Sequence, residues 1–537
     1  MELMTSTLIL LVLTTIAMIL QKQFFRKISL NYVALLVGLL ATLIPAVNKG
    51  ISDFQSEIFL GLIVAPLLFF EAQSTRLYSV IRSWKAILSI TTGMVIIAYL
   101  VGGFGLHYLL GLSLPLCFVM AAIAPPTDAT ATESVTHGLK VPAKVSYYLE
   151  NESLFNDASG IVLLEMSTSW LVSQNLKIGH GFGRFIYSAL GGILLGLVIG
   201  AILVLLRQSA FRGKVNSSKN SYDISTSFML IYILTPFIMY FLAEELKMSG
   251  ILAVVAAGLV HRAEAERSQL TNPYLIYNGY QVSRLTSETL NAMVFVILGV
   301  VFTRLFGSGL SVNLLVQSAL IGLVLYLANL IVRYVYTRFA ASKLKRLTRR
   351  DSMIFALGGV HGTVTFALAY TLSEEAVSDK TFNLVLLSES FLIIFSMIIP
   401  TILFRFILPK DISDLDQVRE IERVRKEMVN YAREGIKKIY LPKKIYKQLD
   451  YDLRTQDNQT SVKDFLHELK KTSTKPELSP DVQEFRNEVY RYAFRLERDY
   501  LGSIAQQELE YRDAFMGLYR EVLMAEILFL RSGNQDD

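Results

Sequence analysis

A chain of 537 residues that is 52% hydrophobic, with a mean hydropathy of +0.42, is too apolar for a soluble enzyme of this length and belongs in a membrane. The net charge of +6 and pI near 9.0 come from short loops between apolar runs, so a nucleic-acid partner is not expected. Its one cysteine, Cys117, lies inside an apolar run, which excludes a disulfide framework and a cysteine metal site; no cofactor is implied.

About thirteen apolar runs are long enough to span a bilayer. In chain order they fall near 3–20, 30–47, 56–72, 86–110, 113–137, 146–173, 184–206, 226–243, 248–261, 288–306, 311–338, 351–373 and 381–408. The first has no basic n-region and no small-residue cleavage pattern, so it reads as a retained helix. Loops after odd-numbered runs hold basic clusters such as Lys22/Arg26/Lys27, Arg76/Arg82/Lys85, Lys140/Lys144 and the block from Arg338 to Arg350. Even-numbered loops hold few, which predicts an outside N-terminus and a cytoplasmic C-terminus; the expected location is the plasma membrane.

Seven carboxylates lie within these runs or at their edges: Glu71, Asp128, Glu152, Asp157, Glu165, Glu288 and Glu389. The comparably placed cation is Arg333. Each such charge costs roughly 2.5 to 3.5 kcal/mol at the bilayer centre, so the acids must pair, face water or bind cations. The sixth run carries Glu152-Ser153-Leu154-Phe155-Asn156-Asp157, which puts Glu152 and Asn156, and Ser153 and Asp157, one helical turn apart. Clustered oxygens of this kind suit a small hard cation. A helix start would also favour acids, but Asp157 is followed at once by an apolar stretch. Glu71 and Glu288 read as site residues or as rim charges, with Glu165 and Glu389 weaker candidates.

The fifth run holds Ala124-Pro125-Pro126-Thr127-Asp128, where two prolines remove backbone donors and break the helix, and the freed carbonyls are expected to serve as ligands. Seven runs later, Gly358-Gly359-Val360-His361-Gly362 interrupts the twelfth. That offset puts the two breaks in opposite orientation, the arrangement of an inverted repeat with a site near the midplane, although glycine pairs also serve close packing. Arg333 is expected either to pair with Glu152 or to snorkel to the rim.

From residue 410 the composition changes, and 48 of the last 128 residues are charged. We expect a transmembrane domain over 1–409 and a cytosolic helical region over 410–537, regulatory in role. Its predicted apolar stripes include Val424 and Met428, then Val482, Phe485, Val489 and Leu496 after a Ser479-Pro480-Asp481 start. A third stripe comprises Leu509, Met516, Leu523, Ile527 and Leu530.

Glu152 to Asp157, Thr127-Asp128, the Phe-Phe-Glu ending at Glu71, Asn291 to Gly299 and the glycines of the twelfth run together resemble the monovalent cation:proton antiporters of the sodium/proton exchanger type, NhaP-like branch. The resemblance covers about residues 1–408. It implies an all-α polytopic fold of about thirteen transmembrane helices with inverted repeats and broken crossing helices 5 and 12, usually in a homodimer. It also implies that Asp157 binds either a proton or a cation, supported by Asn156, Ser153, Thr127, Asp128 and Glu71, with Asp157, Ser153 and Thr127 as cation ligands. A structural ion pair of Glu152 with Arg333 and, from Asn156, electroneutral exchange follow from the same likeness. The family usually carries arginine where this chain has His361, so a titratable group replaces a fixed charge and His361, with Glu288, becomes a candidate modulator. A neutral histidine bonded to a freed carbonyl is the alternative.

No G-x-x-x-x-G-K-[ST] motif occurs, which argues against an ATP-driven pump. The expected activity is secondary antiport, not enzymatic, of a monovalent cation (Na+ before K+ or Li+) against protons. A cation channel and a membrane-embedded cation or pH sensor are the rival classes.

Overall fold

The computed structural model describes residues 2–52, 55–173, 178–212, 221–268, 273–307, 311–339, 347–372, 377–410, 413–456, 480–507 and 512–532. Of the residues singled out above, Lys343, Lys345, Arg346, Ser479 and Leu509 lie outside these. The chain divides into two compact units, Met1–Lys410 and Asp411–Asp537.

The first unit runs α1 Glu2–Gln23, α2 Leu30–Thr42, α3 Pro45–Gly50, α4 Ser56–Phe59, α5 Ala65–Ala72, α6 Leu77–Leu88 and α7 Met94–Leu110. It continues with α8 Leu114–Ile123, α9 Ala129–Val135, α10 Ala143–Ser173, α11 Ile178–Arg212, α12 Ser221–Glu245 and α13 Gly250–Ser268. It closes with α14 Pro273–Gly307, α15 Val312–Phe339, α16 Arg349–Leu357, α17 Thr363–Thr371 and α18 Asp379–Ile407. Each apolar run of the sequence thus falls on a helix or on a broken pair. Among the described residues, six spans are long and apolar enough to cross a membrane by length and composition alone. The chain is an all-helical, multi-pass membrane protein.

Helices in lipid gain nothing from hydrophobic burial against one another and depend on close packing, which small residues permit. A side chain at Gly38 of α2 would meet the Val296 carbonyl at 2.2 Å, and one at Gly299 of α14 would meet the Leu35 carbonyl at 2.3 Å, so these two helices lie backbone to backbone. Gly192 and Gly196 of α11 make the same approach to Ser249 and Ala253, beside and within α13.

Two spans are broken where the sequence removes helix bonds. Pro125 and Pro126 end α8, and α9 restarts at an Asp128 cap whose Oδ1 accepts from Thr130 N at 2.8 Å and Ala131 N at 3.1 Å. Thr348 and Asp351 form a capping box that opens α16, which stops at Gly358 before α17 resumes at Thr363. The two breaks touch: Asp128 N donates to Val360 O at 2.8 Å and Thr132 Oγ1 to Gly358 O at 2.8 Å. A π-helical turn over Leu60–Val64 links α4 to α5 just ahead of Pro66, and another over Ser89–Gly93 links α6 to α7. Neither turn was anticipated from sequence.

The second unit comprises α19 Ser413–Lys437, α20 Lys443–Gln456, α21 Pro480–Gln507 and α22 Arg512–Ser532. Val424, Met428, Ala432 and Ile436 of α19 pack with Leu449 and Leu453 of α20 and with Val489, Tyr490, Ala493, Phe494 and Leu501 of α21. Phe515, Leu518 and Val522 of α22 complete the core. The third predicted stripe is off by one residue, since Met516 and Ile527 are exposed and the core side is Phe515, Leu518 and Val522. Apolar residues on both sides of α22 give two faces with helical spacing, and the face bearing Phe515 and Phe529 is the one that packs. Val482 and Phe485 likewise face outward.

Candidate functional site

The long helix α10 brings Glu152, Ser153, Asn156 and Asp157 to one buried sector, against the break between α8 and α9. Gly160, one turn beyond Asn156, makes room for that break, because a side chain there would meet Pro126 Cγ at 2.4 Å. Asn156 Nδ2 donates to Thr127 Oγ1 at 3.0 Å, and Ser153 Oγ accepts from Ala129 N at 2.9 Å. The neighbouring acceptors Asp157 Oδ1 and Asn156 Oδ1 are buried with no hydrogen-bond donor among the described residues. A buried carboxylate oxygen in this condition is costly until a proton or a cation occupies it.

Asp128 sits in the same cluster, but its Oδ1 is committed to capping α9 and to Thr130 Oγ1 at 2.6 Å. Its other oxygen lies against Gly362, where any side chain would come within 2.1 Å. This glycine is required by close approach. The freed carbonyls expected to be ligands are instead taken by protein donors: Pro126 O accepts from His361 Nδ1 at 2.8 Å and Thr365 Oγ1 at 3.3 Å, and Ala124 O from Asn329 Nδ2 at 3.4 Å. Buried carbonyls must be satisfied, and side chains from α15 and from the other break lie close enough to do it. Since a carbonyl only accepts, His361 presents Nδ1–H to Pro126, while its backbone N–H donates to Ser396 Oγ at 3.0 Å.

Arg333 of α15 and Glu152 form a fully buried two-pronged pair, with Nη1 on Oε1 and Nη2 on Oε2 at 2.9 Å. Nη2 also donates to Phe355 O at 3.1 Å, and the guanidinium lies 4.6 Å from the Phe355 ring. Gly359 admits it, for a side chain there would meet Arg333 Nε at 2.2 Å. The side chain is therefore held at the twelfth-run break and does not snorkel to the rim.

Glu71 lines a cavity of about 390 Å³ with Glu133, Glu150, Thr132 and Ser146, and the same cavity reaches Ala129 and Leu154, next to the Asp157 cluster. Glu288 is half-buried, pairs with Arg284 at 3.1 Å and lies within electrostatic reach of Glu133 on the wall of that cavity. Glu165 is exposed, 3.6 Å from Arg184, whereas Glu389 is fully buried and its oxygens have no donor among the described residues. Sequence reasoning missed Asn31, which donates to Ser134 Oγ at 2.7 Å and Thr130 O at 3.1 Å and accepts from Asn291 Nδ2 at 3.1 Å. It thereby ties α2, α9 and α14 together; the available signal was a lone amide in an apolar run.

The model of a family described as sodium/hydrogen exchanger, transmembrane, matches residues 9–410. A sodium, potassium, lithium and rubidium/H(+) antiporter of Bacillus subtilis is 28% identical over 450 residues, 80% of this chain and 65% of that protein. Its namesake from Bacillus pumilus is 28% identical over 421 residues, 74% of this chain and 61% of that protein. The chain therefore matches just under two thirds of the length of these relatives. The solved sodium proton antiporter MjNhaP1 of Methanocaldococcus jannaschii superposes with a TM-score of 0.57 at 20% identity, covering 76% of this chain and 98% of that one, which shows a shared fold.

Proposed function

The chain belongs to the sodium/hydrogen exchanger family, and from that premise we propose that it exchanges a monovalent cation, Na+ in the first instance, for protons across the plasma membrane. The observation that carries the reading is the buried Asp157 Oδ1, without a donor among the described residues, on the residue next to Asn156, whose Oδ1 is in the same condition. Asp157 holds either one proton or one cation. The two compete for the same oxygen, so one cation moves against one proton and the cycle is electroneutral. When the cation is bound, Asn156 Oδ1, Ser153 Oγ and Thr127 Oγ1 supply neutral oxygens; when it leaves, the proton restores neutrality. Asp128 is a positioning residue, shaping the break through its cap.

The cavity lined by Glu71, Glu133 and Glu150 leads toward this cluster from the side of the Arg76 and Lys140 loops. By the distribution of basic residues that side is cytoplasmic, with the N-terminus outside and the second unit inside. Acidic walls raise the local cation concentration in such a funnel. About thirteen membrane helices in inverted repeats, alternating access about the two breaks, and a homodimer complete the proposal, with the second unit regulating exchange. Asp157→Asn should abolish cation-dependent proton flux in everted vesicles for Na+, K+ and Li+ alike, at normal membrane insertion, because an amide neither releases a proton nor neutralises a cation. Retained flux would overturn the assignment.

A further inference from the structure

Charge in the second unit is unevenly placed. Residues 411–537 hold 25 acidic side chains against 22 basic ones, yet from Gly435 to Leu449 there are five lysines and no acid. Lys437, Lys438, Lys443, Lys444 and Lys447 all sit at the turn between α19 and α20, and all are exposed. At the centre of the group Tyr440 is 100% exposed and Ile439 40% exposed. The backbone beneath is fixed, since Ile436 and Leu449 are buried in the core and Leu441, Ile445 and Tyr446 pack against it. Lys437 has a salt bridge to Glu434 at 2.7 Å; the other four lysines extend the patch without an acid between them in sequence.

A rigid turn that presents an aromatic and an aliphatic side chain inside a ring of lysines suits an interface where apolar atoms enter the headgroup layer and ammonium groups meet phosphates. We propose that this turn docks onto the anionic phospholipid headgroups of the bilayer in which the chain is embedded. Charge complementarity argues for lipid: the rest of the unit is net acidic, so attraction to an anionic leaflet is confined to this patch. The tether argues the same way. The last membrane helix ends at Ile407 and α19 begins at Ser413, so a short stretch of chain tethers the second unit to the membrane span, and a tether of that kind gives an effective concentration in the millimolar range. Each lysine near such a surface strengthens binding about fivefold, enough for a contact that salt can release.

The test uses the full chain in nanodiscs. Cys117 is buried, so a thiol-reactive fluorophore at Pro442→Cys, itself exposed, labels the turn while keeping Tyr440. Quenching by a headgroup-nitroxide lipid should be at least about threefold stronger with one third phosphatidylglycerol than in phosphatidylcholine alone, and should fall in high salt. Replacing the five lysines with glutamine should remove the difference. Equal quenching in both lipids, or an unchanged difference in the glutamine variant, overturns the proposal. Displacement by millimolar inorganic phosphate would identify a soluble-phosphate site instead, and absence of quenching in every nanodisc would point to an acidic protein partner; either result overturns it as well.

Discussion

Glu497 occupies the core-facing stripe of α21, in line with Tyr490, Ala493, Phe494 and Leu501, and is fully buried. Among the described residues neither of its oxygens has a donor in hydrogen-bonding geometry, although Gln456 of α20 lies beside it. Charged groups from the other packed helices are committed elsewhere. Glu427 of α19 accepts from Tyr500 at 2.7 Å, Asp452 of α20 accepts from Tyr490, and Glu526 of α22 pairs with Arg498, the cation that acts on Glu497. Burial therefore pushes the Glu497 carboxyl up from 4.5 to about 8. A carboxyl raised in the folded state loses stability as pH climbs above its unfolded value, because the unfolded chain ionises first; the loss grows up to about pH 8 and then levels. At about 1.4 kcal/mol per pH unit, the full effect is on the order of 5 kcal/mol, a large fraction of a small domain's stability. Glu497→Gln removes the titration. Hydrogen exchange in the full chain, read as protection factors across α21 and the Phe515 to Val522 segment, should fall steeply between pH 5 and 8 in the wild type and stay flat in the variant. Parallel profiles for the two proteins would refute the reasoning.

The proposed ion site is legible where membrane physics is harshest. A carboxylate within an apolar run has few permitted fates, so Glu152 to Asp157 stood out before any contact was known, and paired prolines announce a break because they carry no N–H. What the chain could not reveal is which groups satisfy a broken helix. The carbonyls of Ala124 and Pro126 looked available, but Asn329, His361 and Thr365, 205 to 239 residues away, supply their donors. Depth was equally illegible for single acids. Glu165 and Glu389 sit in similar apolar contexts, yet one reaches Arg184 at an exposed surface and the other is enclosed. Hydropathy measures the run, not the face of the helix a residue occupies. The same ambiguity shifted the stripe on α22, where neighbouring registers are both apolar and only the partner helices select Phe515 over Met516.

Removing one member of the Arg333 and Glu152 pair strands a buried charge, so Glu152→Gln and Arg333→Gln should each cost about 3–5 kcal/mol of thermal stability. The double variant should lose less than the sum, and strict additivity in the melting temperatures would refute the coupling. His361 tests whether the second break responds to pH or merely needs a strap. Pro126 lacks a helical donor, and His361 Nδ1–H supplies the shorter of its two bonds. A glutamine amide can also donate there, so His361→Gln should keep the wild-type dependence of exchange on pH. His361→Phe cannot donate, which should cost about 1–3 kcal/mol of stability for a carbonyl left with the 3.3 Å bond from Thr365. If the imidazole instead titrates during exchange, the glutamine profile will separate from wild type by more than about half a pH unit in the range where histidine changes charge. That separation, with stability unchanged, would make His361 a pH-sensing group and not a structural one.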